Sequence, residues 1–159
     1  MIFRKAKIED FSDILNLYND AKKSKFCVWS DEYPSLETIK FDYQDECLYV
    51  ACVDEKIVGA LSVEKELELD FDIWKVKDNV IEISRVVVDK DNHGKNIAVY
   101  MVSNIIDICK KENIKAVHLA CHPYNIPAVK TYQKLGFVFY DEVEIFNNIY
   151  NLCEYVIKK

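Results

Sequence analysis

Glycine, proline and arginine are scarce in this sequence, and each shortage excludes a class of protein. Three glycines and three prolines among 159 residues leave no flexible or proline-rich linker. Arg4 and Arg85 are the only arginines, and the lysines that supply the remaining positive charge are scattered along the chain. Because a nucleic-acid interface needs clustered basic residues, we expect no nucleic-acid partner.

Long apolar runs and closely spaced cysteine pairs are also missing. No stretch approaches ~18 uninterrupted apolar residues, so we expect no transmembrane helix and no membrane partner. Residues 1–7 carry charges and no signal-peptide core, which predicts a cytoplasmic protein. The six cysteines include no CxxC pair. We interpret them as buried free thiols in a reducing compartment and expect no metal site.

The rest of the composition is that of a globular protein. Half of the residues are hydrophobic and 30% are charged. A chain of this length is expected to form one domain with one core, which we assign to residues 1–159. The formal net charge of −6 weakly favours a cationic partner.

Hydrophobic periodicity predicts alternating strands and helices. In the first half, the predicted elements are a strand at 2–6, an amphipathic helix at 8–23, a short helix at about 35–43, and a hairpin of strands 47–53 and 56–63. In the second half, they are a strand at 80–88, a helix at 94–112, a strand at 115–120, a helix at 125–135, and strands 136–146 and 149–157. Such a strand–helix–strand–helix succession requires a parallel crossover, so we predict an α/β (α+β) fold with a mixed sheet.

The most informative stretch runs from residue 82 to residue 98. A β-branched strand that contains Glu82 ends in a polar turn, and a loop with small residues then opens a helix. The first N–H groups of a helix have no intrahelical partner, and the helix dipole adds positive charge there. Gly94 and Ala98 leave the main chain bare, so the arrangement is typical of a phosphate-binding loop.

These residues resemble the GNAT superfamily of acyl-CoA-dependent N-acetyltransferases. The family's pyrophosphate loop has Gln or Arg, two free positions, Gly, one free position, then Gly or Ala. The matching residues here are His93, Gly94, Lys95, Asn96, Ile97 and Ala98. Downstream, Asn125, Ala128, Tyr132, Gly136 and Phe137 have the family's spacing. The resemblance implies a mixed, mostly antiparallel central sheet flanked by helices on both faces, acetyl-CoA as cofactor, and an amine acceptor.

Two positions depart from the family's loop. His93 replaces the usual Gln or Arg, and its imidazole can donate a hydrogen bond to phosphate with a charge that varies near neutral pH. Asn96 replaces a glycine and is the non-glycine residue most tolerant of a positive φ. The resemblance also implies that the main chain of Val86, Val87 and Val88 pairs with pantetheine.

The resemblance assigns two catalytic roles. Glu82 is the candidate base that removes a proton from the incoming ammonium, and the alternative interpretation is a solvent-facing strand carboxylate. Glu64, Glu66 and Asp89 are substitutes for this role. Tyr132 resembles the acid that protonates the coenzyme A thiolate, although a tyrosine at such a position can also pack the helix on the sheet.

Other residues receive less specific assignments. Asn125 is either a cofactor contact or a plain helix cap, and the two roles are compatible. Trp29 and Tyr33 fall where the family builds a substrate wall, with core packing as the alternative. We expect Arg85 to be structural and paired with a carboxylate. His118 and His122 receive no role.

Three questions stay open at the level of sequence. The acceptor amine is unspecified, because it would be recognised by the least patterned segments, 24–43 and 64–79. A non-catalytic acyl-CoA-binding or sensor domain is the alternative function, and Cys121 is an alternative, less favoured nucleophile. A homodimer is considered because many family members are dimers, but no exposed stripe indicates an interface.

Overall fold

The computed structural model describes residues 1–65 and 69–158. Its contacts cluster into two compact units. The first unit comprises Met1–Val63 and Arg85–Met101, and the second comprises Glu64–Ser84 and Val102–Lys159. Each unit is described by itself below.

The described residues form seven strands and four α-helices. The strands are β1 (Ile2–Lys5), β2 (Leu48–Val53), β3 (Lys56–Glu64), β4 (Val80–Val88), β5 (Ala116–Cys121), β6 (Val138–Ile145) and β7 (Asn148–Val156). The helices are α1 (Phe11–Ala21), α2 (Leu36–Gln44), α3 (Ile97–Lys111) and α4 (Ile126–Leu135). Every strand and α-helix predicted from periodicity is therefore present.

The strands form one mixed sheet in the order β1-β2-β3-β4-β5-β7-β6. Strands β4 and β5 run parallel, with Val80 opposite Ala116 and Glu82 opposite His118. Strand β5 pairs with β7 in antiparallel register, as do β1 with β2, β2 with β3, and β6 with β7. The predicted mixed sheet with a parallel crossover is confirmed.

The first unit is organised around an apolar core that α1 and α2 help to enclose. Its largest fully buried side chains include Ile14, Tyr18 and Ile39. The predicted helix 8–23 is shorter than expected, because Ile8–Asp10 form a separate 3₁₀ turn before α1 begins. Asp10 stabilises that turn by accepting the Lys7 main-chain N–H at 2.8 Å.

Close packing against α3 explains why position 59 of β3 is a glycine. A Cβ atom built on it would lie 2.9 Å from the Cε atom of Met101 in α3. Real Cβ contacts are essentially never that short, so a side chain here would displace Met101. The glycine therefore allows the helix to approach the strand closely.

The second unit has β5 between β4 and β7. Val117 and Leu119 of β5 and Leu152 and Cys153 of β7 are buried. The closing hairpin turns at Phe146 and Asn147, which both have positive φ, one residue earlier than the predicted turn at 147–148. Within residues 1–65 and 69–158, no helix is both long and apolar enough to cross a membrane.

Candidate active site

The loop that precedes α3 contains two residues in the left-handed conformation. Gly94 has φ +80° and Asn96 has φ +60°, so both glycine-like positions adopt the left-handed conformation. A Cβ at Gly94 would meet nothing within 4 Å. Gly94 is therefore required for its backbone conformation, and the space beside it is open to a ligand.

Helix α3 starts three residues later than the predicted helix 94–112. The first intrahelical bond runs from the N–H of Tyr100 to the carbonyl of Asn96 at 3.0 Å. The N–H groups of Ile97 and Ala98 precede this bond and have no helical carbonyl four residues back. Because the buried side chain of Ile97 anchors the first turn, these donors are held at a defined helix N-terminus. Such free N–H donors at a helix N-terminus can bind an anion.

His93, at the start of the loop, is exposed, and its Nε2 atom lies 3.2 Å from the carbonyl oxygen of Val88. The neighbouring Asp89 is buried and accepts the Asn92 side-chain amide at 2.7 Å. Burial favours the neutral Asp89 carboxyl, but the Asn92 hydrogen bond and the charge of Lys56 outweigh it and lower its pKa. Asp89 thus holds the turn that leads into the loop.

Buried and half-buried side chains alternate along the end of β4, as in a regular strand. Val87 is buried in the first unit's core, whereas Val86 and Val88 are half-buried and point to the opposite face. Arg85, just before them, has φ +51°, which interrupts the regular strand. The strand is therefore irregular next to the main chain that the family pairs with pantetheine.

Arg85 forms the centre of a polar cluster in the first unit. Its Nε and Nη2 atoms donate to the two carboxylate oxygens of Asp42, both at 3.0 Å. Asp42 is buried and also accepts the hydroxyl of Ser62 at 2.7 Å. The expected carboxylate partner of Arg85 is therefore Asp42. Such a bidentate, fully hydrogen-bonded pair satisfies both buried charges.

The two aromatic candidates of the substrate wall have different surroundings. The Tyr33 hydroxyl accepts the Nη1 group of Arg85 at 2.9 Å, and the residue is 44% exposed. Trp29 packs edge-on against Tyr18, with ring centroids 5.6 Å apart, and belongs to the border of the apolar core. Tyr33 is thus accessible to a ligand, whereas Trp29 packs against the core.

Glu82 is a buried carboxylate rather than a solvent-facing one. Only 3% of its surface is exposed, and its Oε1 atom accepts the main-chain N–H of Leu69 at 2.8 Å. Among the substitutes, Glu64 accepts the hydroxyl of Ser84 at 3.3 Å. Glu66 lies outside the described residues.

A cluster that sequence reasoning missed lies beside Glu82 in the second unit. The carboxylate of Glu154 accepts four hydrogen bonds: from the N–H groups of Lys75 and Val76 at 3.0 Å each, from the Tyr140 hydroxyl at 2.6 Å, and from His118 at 2.8 Å. Trp74 stacks on the His118 ring with centroids 3.8 Å apart. The available signal was an ionisable residue with apolar or aromatic neighbours on both sides, His118 in β5 and Glu154 in β7.

The charges in this cluster are set by burial and hydrogen bonding. Burial alone favours a neutral Glu154, but the bonds from Tyr140, Val76, His118 and Lys75 outweigh it and lower its pKa. Burial lowers the pKa of His118, although the Glu154 hydrogen bond opposes the shift. An ionised carboxylate only accepts, so Nε2 of neutral His118 carries the proton that it donates.

A cavity of about 260 Å³ adjoins this cluster. Its walls combine apolar, aromatic and charged side chains: Leu69, Asp70, Phe71, Trp74, Lys77 and His118. The cavity therefore includes Leu69, the residue that is bonded directly to Glu82.

Helix α4 presents the remaining candidates. Asn125 caps the helix, since its Oδ1 atom accepts the Ala128 N–H at 3.3 Å. Tyr132 is buried, and its ring packs edge-on against Phe137 with centroids 5.5 Å apart. Burial, with smaller contributions from Cys121 and Cys153, raises the pKa of Tyr132. The phenol therefore stays protonated and able to donate at neutral pH.

All six cysteines are free thiols. Cys121 is buried, and burial raises its pKa to about 12. A thiol is nucleophilic only as its thiolate, so this residue is a poor acyl acceptor at neutral pH.

Comparisons with known proteins agree with these features. The sequence profile described as "Acetyltransferase (GNAT) family" matches residues 14–137. N-acetylaspartate synthetase of Xenopus tropicalis is 25% identical over 118 residues, which make up 74% of this chain and 40% of that protein. The chain thus spans about two fifths of the length of this curated relative.

Two solved structures have the same fold. A GNAT-family acetyltransferase from Streptococcus agalactiae aligns with a TM-score of 0.83 at 17% identity, over 99% of this chain and 96% of the other. A Salmonella typhimurium protein solved with its cofactor acetyl-CoA aligns with a TM-score of 0.78 at 17% identity, over 100% and 95%.

Proposed function

Because this chain belongs to the acetyltransferase (GNAT) family, we propose that it is an N-acetyltransferase that moves an acetyl group from acetyl-CoA directly to a primary amine. The match to the family over residues 14–137 carries the proposal, since this range includes both the loop 93–98 and the pair Asn125 and Tyr132. The family uses acetyl-CoA, which supplies the acetyl thioester. Relatives named N-acetylaspartate synthetase add amino acids to the acceptors worth testing.

The first unit supplies the proposed cofactor contacts. The main-chain groups of Val86, Val87 and Val88 would pair with the pantetheine arm. The N–H groups between His93 and Ala98 would hold the pyrophosphate, and two observations support this assignment. The loop has two left-handed residues, and the space beside Gly94 is open. Asn125, which belongs to the second unit, is a further proposed contact. Its side chain caps α4, a role that is compatible with cofactor contact.

The second unit supplies the proposed catalytic groups. Glu82, whose carboxylate is buried and accepts the Leu69 N–H, would take a proton from the acceptor ammonium through a water. The neutral nitrogen then attacks the thioester carbonyl, a C–N bond forms and the C–S bond breaks. Tyr132 would give its phenol proton to the departing thiolate, and the nitrogen loses its second proton to solvent as the amide forms. The proton on Glu82 then returns to the tyrosinate through solvent.

Thiol release tests this function. Purified protein is incubated with acetyl-CoA and a panel of polyamines, amino acids including aspartate, aminoglycosides and peptides, while free thiol and acetylated product are measured. We expect release that depends on one class of amine. Acetyl-CoA binding in calorimetry without turnover on any acceptor would favour the alternative, a non-catalytic acyl-CoA-binding domain. We retain this alternative because the Leu69 N–H already donates a hydrogen bond to the carboxylate of Glu82, the proposed base.

We also propose that residues 1–159 work as one catalytic domain in the cytoplasm. The six free thiols support a reducing compartment. A homodimer stays a prediction that sedimentation of the purified protein can test.

A further inference from the structure

The cavity of the second unit adjoins a residue that is bonded to the proposed base. Leu69 lines the cavity, and its N–H donates to Glu82 at 2.8 Å. His118 also lines it and lies opposite Glu82 in the parallel register of β4 and β5. Directly opposed residues of neighbouring strands point to the same face of the sheet. The cavity and the proposed base therefore share one face of the second unit.

The wall of the cavity is fixed by buried groups rather than by surface contacts. Glu154, which is 1% exposed, holds the N–H groups of Lys75 and Val76. The indole Nε1 of Trp74 donates to the carbonyl of Leu69 at 2.8 Å. The segment from Leu69 to Val76 is thus tied at both ends to buried carboxylates. This gives the cavity a preformed shape, as a small-molecule site requires.

The chemistry of the walls selects a ligand with two charges and an apolar body. Phe71 and Trp74 offer aromatic surface, Asp70 contributes a carboxylate and Lys77 an ammonium group. Lys77 also pairs with Asp72 at 3.7 Å, but both side chains are largely exposed. Such exposed pairs are worth little, so a ligand carboxylate can replace Asp72.

The size of the cavity suits a small acceptor. Its volume of about 260 Å³ lies just below the ~300 Å³ at which typical ligand pockets begin. A small free amino acid fits this volume, whereas a larger acceptor would place only its amine-bearing end there.

We propose that this cavity is the acceptor site and that it takes a free apolar or aromatic amino acid, with its ammonium near Asp70, its carboxylate at Lys77 and its side chain against Phe71 and Trp74. This inference rests on the proposed function, because the cavity is an acceptor site only if the protein transfers an acetyl group. The binding of the amino acid can be measured without any acetyl transfer.

The test uses the fluorescence of Trp74. The chain has two tryptophans, so Trp29→Phe leaves Trp74 as the only indole. This variant is titrated with L-phenylalanine, phenethylamine and 3-phenylpropionate, which share a ring and differ in charge, and with L-aspartate. We expect L-phenylalanine to change the Trp74 emission at a concentration about threefold lower than the other three ligands, because exposed ion pairs contribute only modestly.

Two further variants locate the carboxylate contact. Lys77→Met in the Trp29→Phe background should abolish the preference for L-phenylalanine over phenethylamine. Lys110→Met, which removes an exposed lysine of α3 paired with Asp107, is the matched control and should keep it. Equal binding of phenethylamine, or tighter binding of aspartate, would overturn the proposed ligand class.

The outcomes separate this inference from the proposed function. Acetylation of amines without any Trp74 response would show that the acceptor binds elsewhere. A Trp74 response to L-phenylalanine, without acetyl transfer to any amine of the panel, would support the amino acid site and contradict the proposed enzyme activity.

Discussion

The Nε2 atom of His118 lies 2.8 Å from the Oε2 atom of Glu154, and each residue is 1% exposed. The two residues are 36 positions apart in the sequence and face each other across β5 and β7. Through Glu154 this pair also holds the main chain of Lys75 and Val76. A polar cluster in the interior thereby fixes the segment that lines the proposed acceptor site.

Glu154→Gln should destabilise the second unit and impair the acceptor site. An amide cannot accept all four hydrogen bonds that the carboxylate now accepts, so buried donors lose partners. We expect the free energy of unfolding to fall by about 3 kcal/mol, as when one partner of a buried charged cluster is removed. In chemical denaturation, Glu144→Gln on the exposed side of β6 is the control and should change little. In steady-state assays, the KM for the acceptor should rise more than the Kd for acetyl-CoA, and the opposite pattern would contradict the positioning role.

His118 should make stability fall as the pH drops below 6.5. Its pKa in the folded protein lies below the ordinary value of 6.5 because burial disfavours the imidazolium. The unfolded chain therefore binds a proton first as the pH falls. The contribution of neutral His118 to the free energy of unfolding is fully present above pH 6.5. It is lost as the pH falls from 6.5 toward the pKa of His118 in the folded protein, and the free energy of unfolding then changes by at most about 1.4 kcal/mol per pH unit.

Urea denaturation between about pH 5 and 8 checks this dependence, a range that spans the histidine titration. His118→Gln should flatten the profile. Burial raises the pKa of Glu154, but its hydrogen bonds outweigh burial and lower the pKa below the ordinary value of 4.5. The contribution of ionised Glu154 to the free energy of unfolding is therefore lost only when the pH falls below 4.5. A wild-type profile that is already flat from pH 8 to 5 would contradict the prediction for His118.

Glu82→Gln should remove the base without disturbing the fold. The amide oxygen of glutamine can still accept the Leu69 N–H, and the melting temperature of the variant checks that the fold is kept. We expect kcat/KM to fall about 10²–10⁴-fold, the range for loss of a general base. Glu142→Gln, at an exposed position of β6 that has no assigned role, serves as the control. Full activity of Glu82→Gln across the pH range would show that another group accepts the proton.

Tyr132→Phe should lower turnover more than cofactor affinity. Phenylalanine keeps the edge-on packing against Phe137 and removes only the hydroxyl. We expect kcat to fall at least about 10²-fold while the Kd for acetyl-CoA changes by less than about threefold. Tyr124→Phe, at a position 76% exposed, is the matched control. Loss of acetyl-CoA affinity with normal turnover would assign Tyr132 a binding role instead.

Local sequence signals predicted the elements well because each signal acts over a few residues. The β-branched run gave β4 its observed bounds, 80–88, and Asn125 caps α4 as its residue type favours. The starts of helices were less accurate, since α3 begins at Ile97 and α1 at Phe11. In both cases polar residues at the predicted start form a turn instead: Asp10 bonds to Lys7, and Asn96 adopts a positive φ.

The sequence by itself determined the fold class, the left-handed loop before α3 and the resemblance that led to the family. Periodicity, capping and turn preferences depend on neighbours in the chain, so these features can be read locally. The tertiary structure decided the partner of Arg85, the burial of Glu82 and the cluster around Glu154. Lys75 and Glu154 are 79 positions apart, and only strand order and register bring them into contact. Burial then sets the charge of His118 and Glu154, because desolvation and hydrogen bonding depend on all surrounding residues.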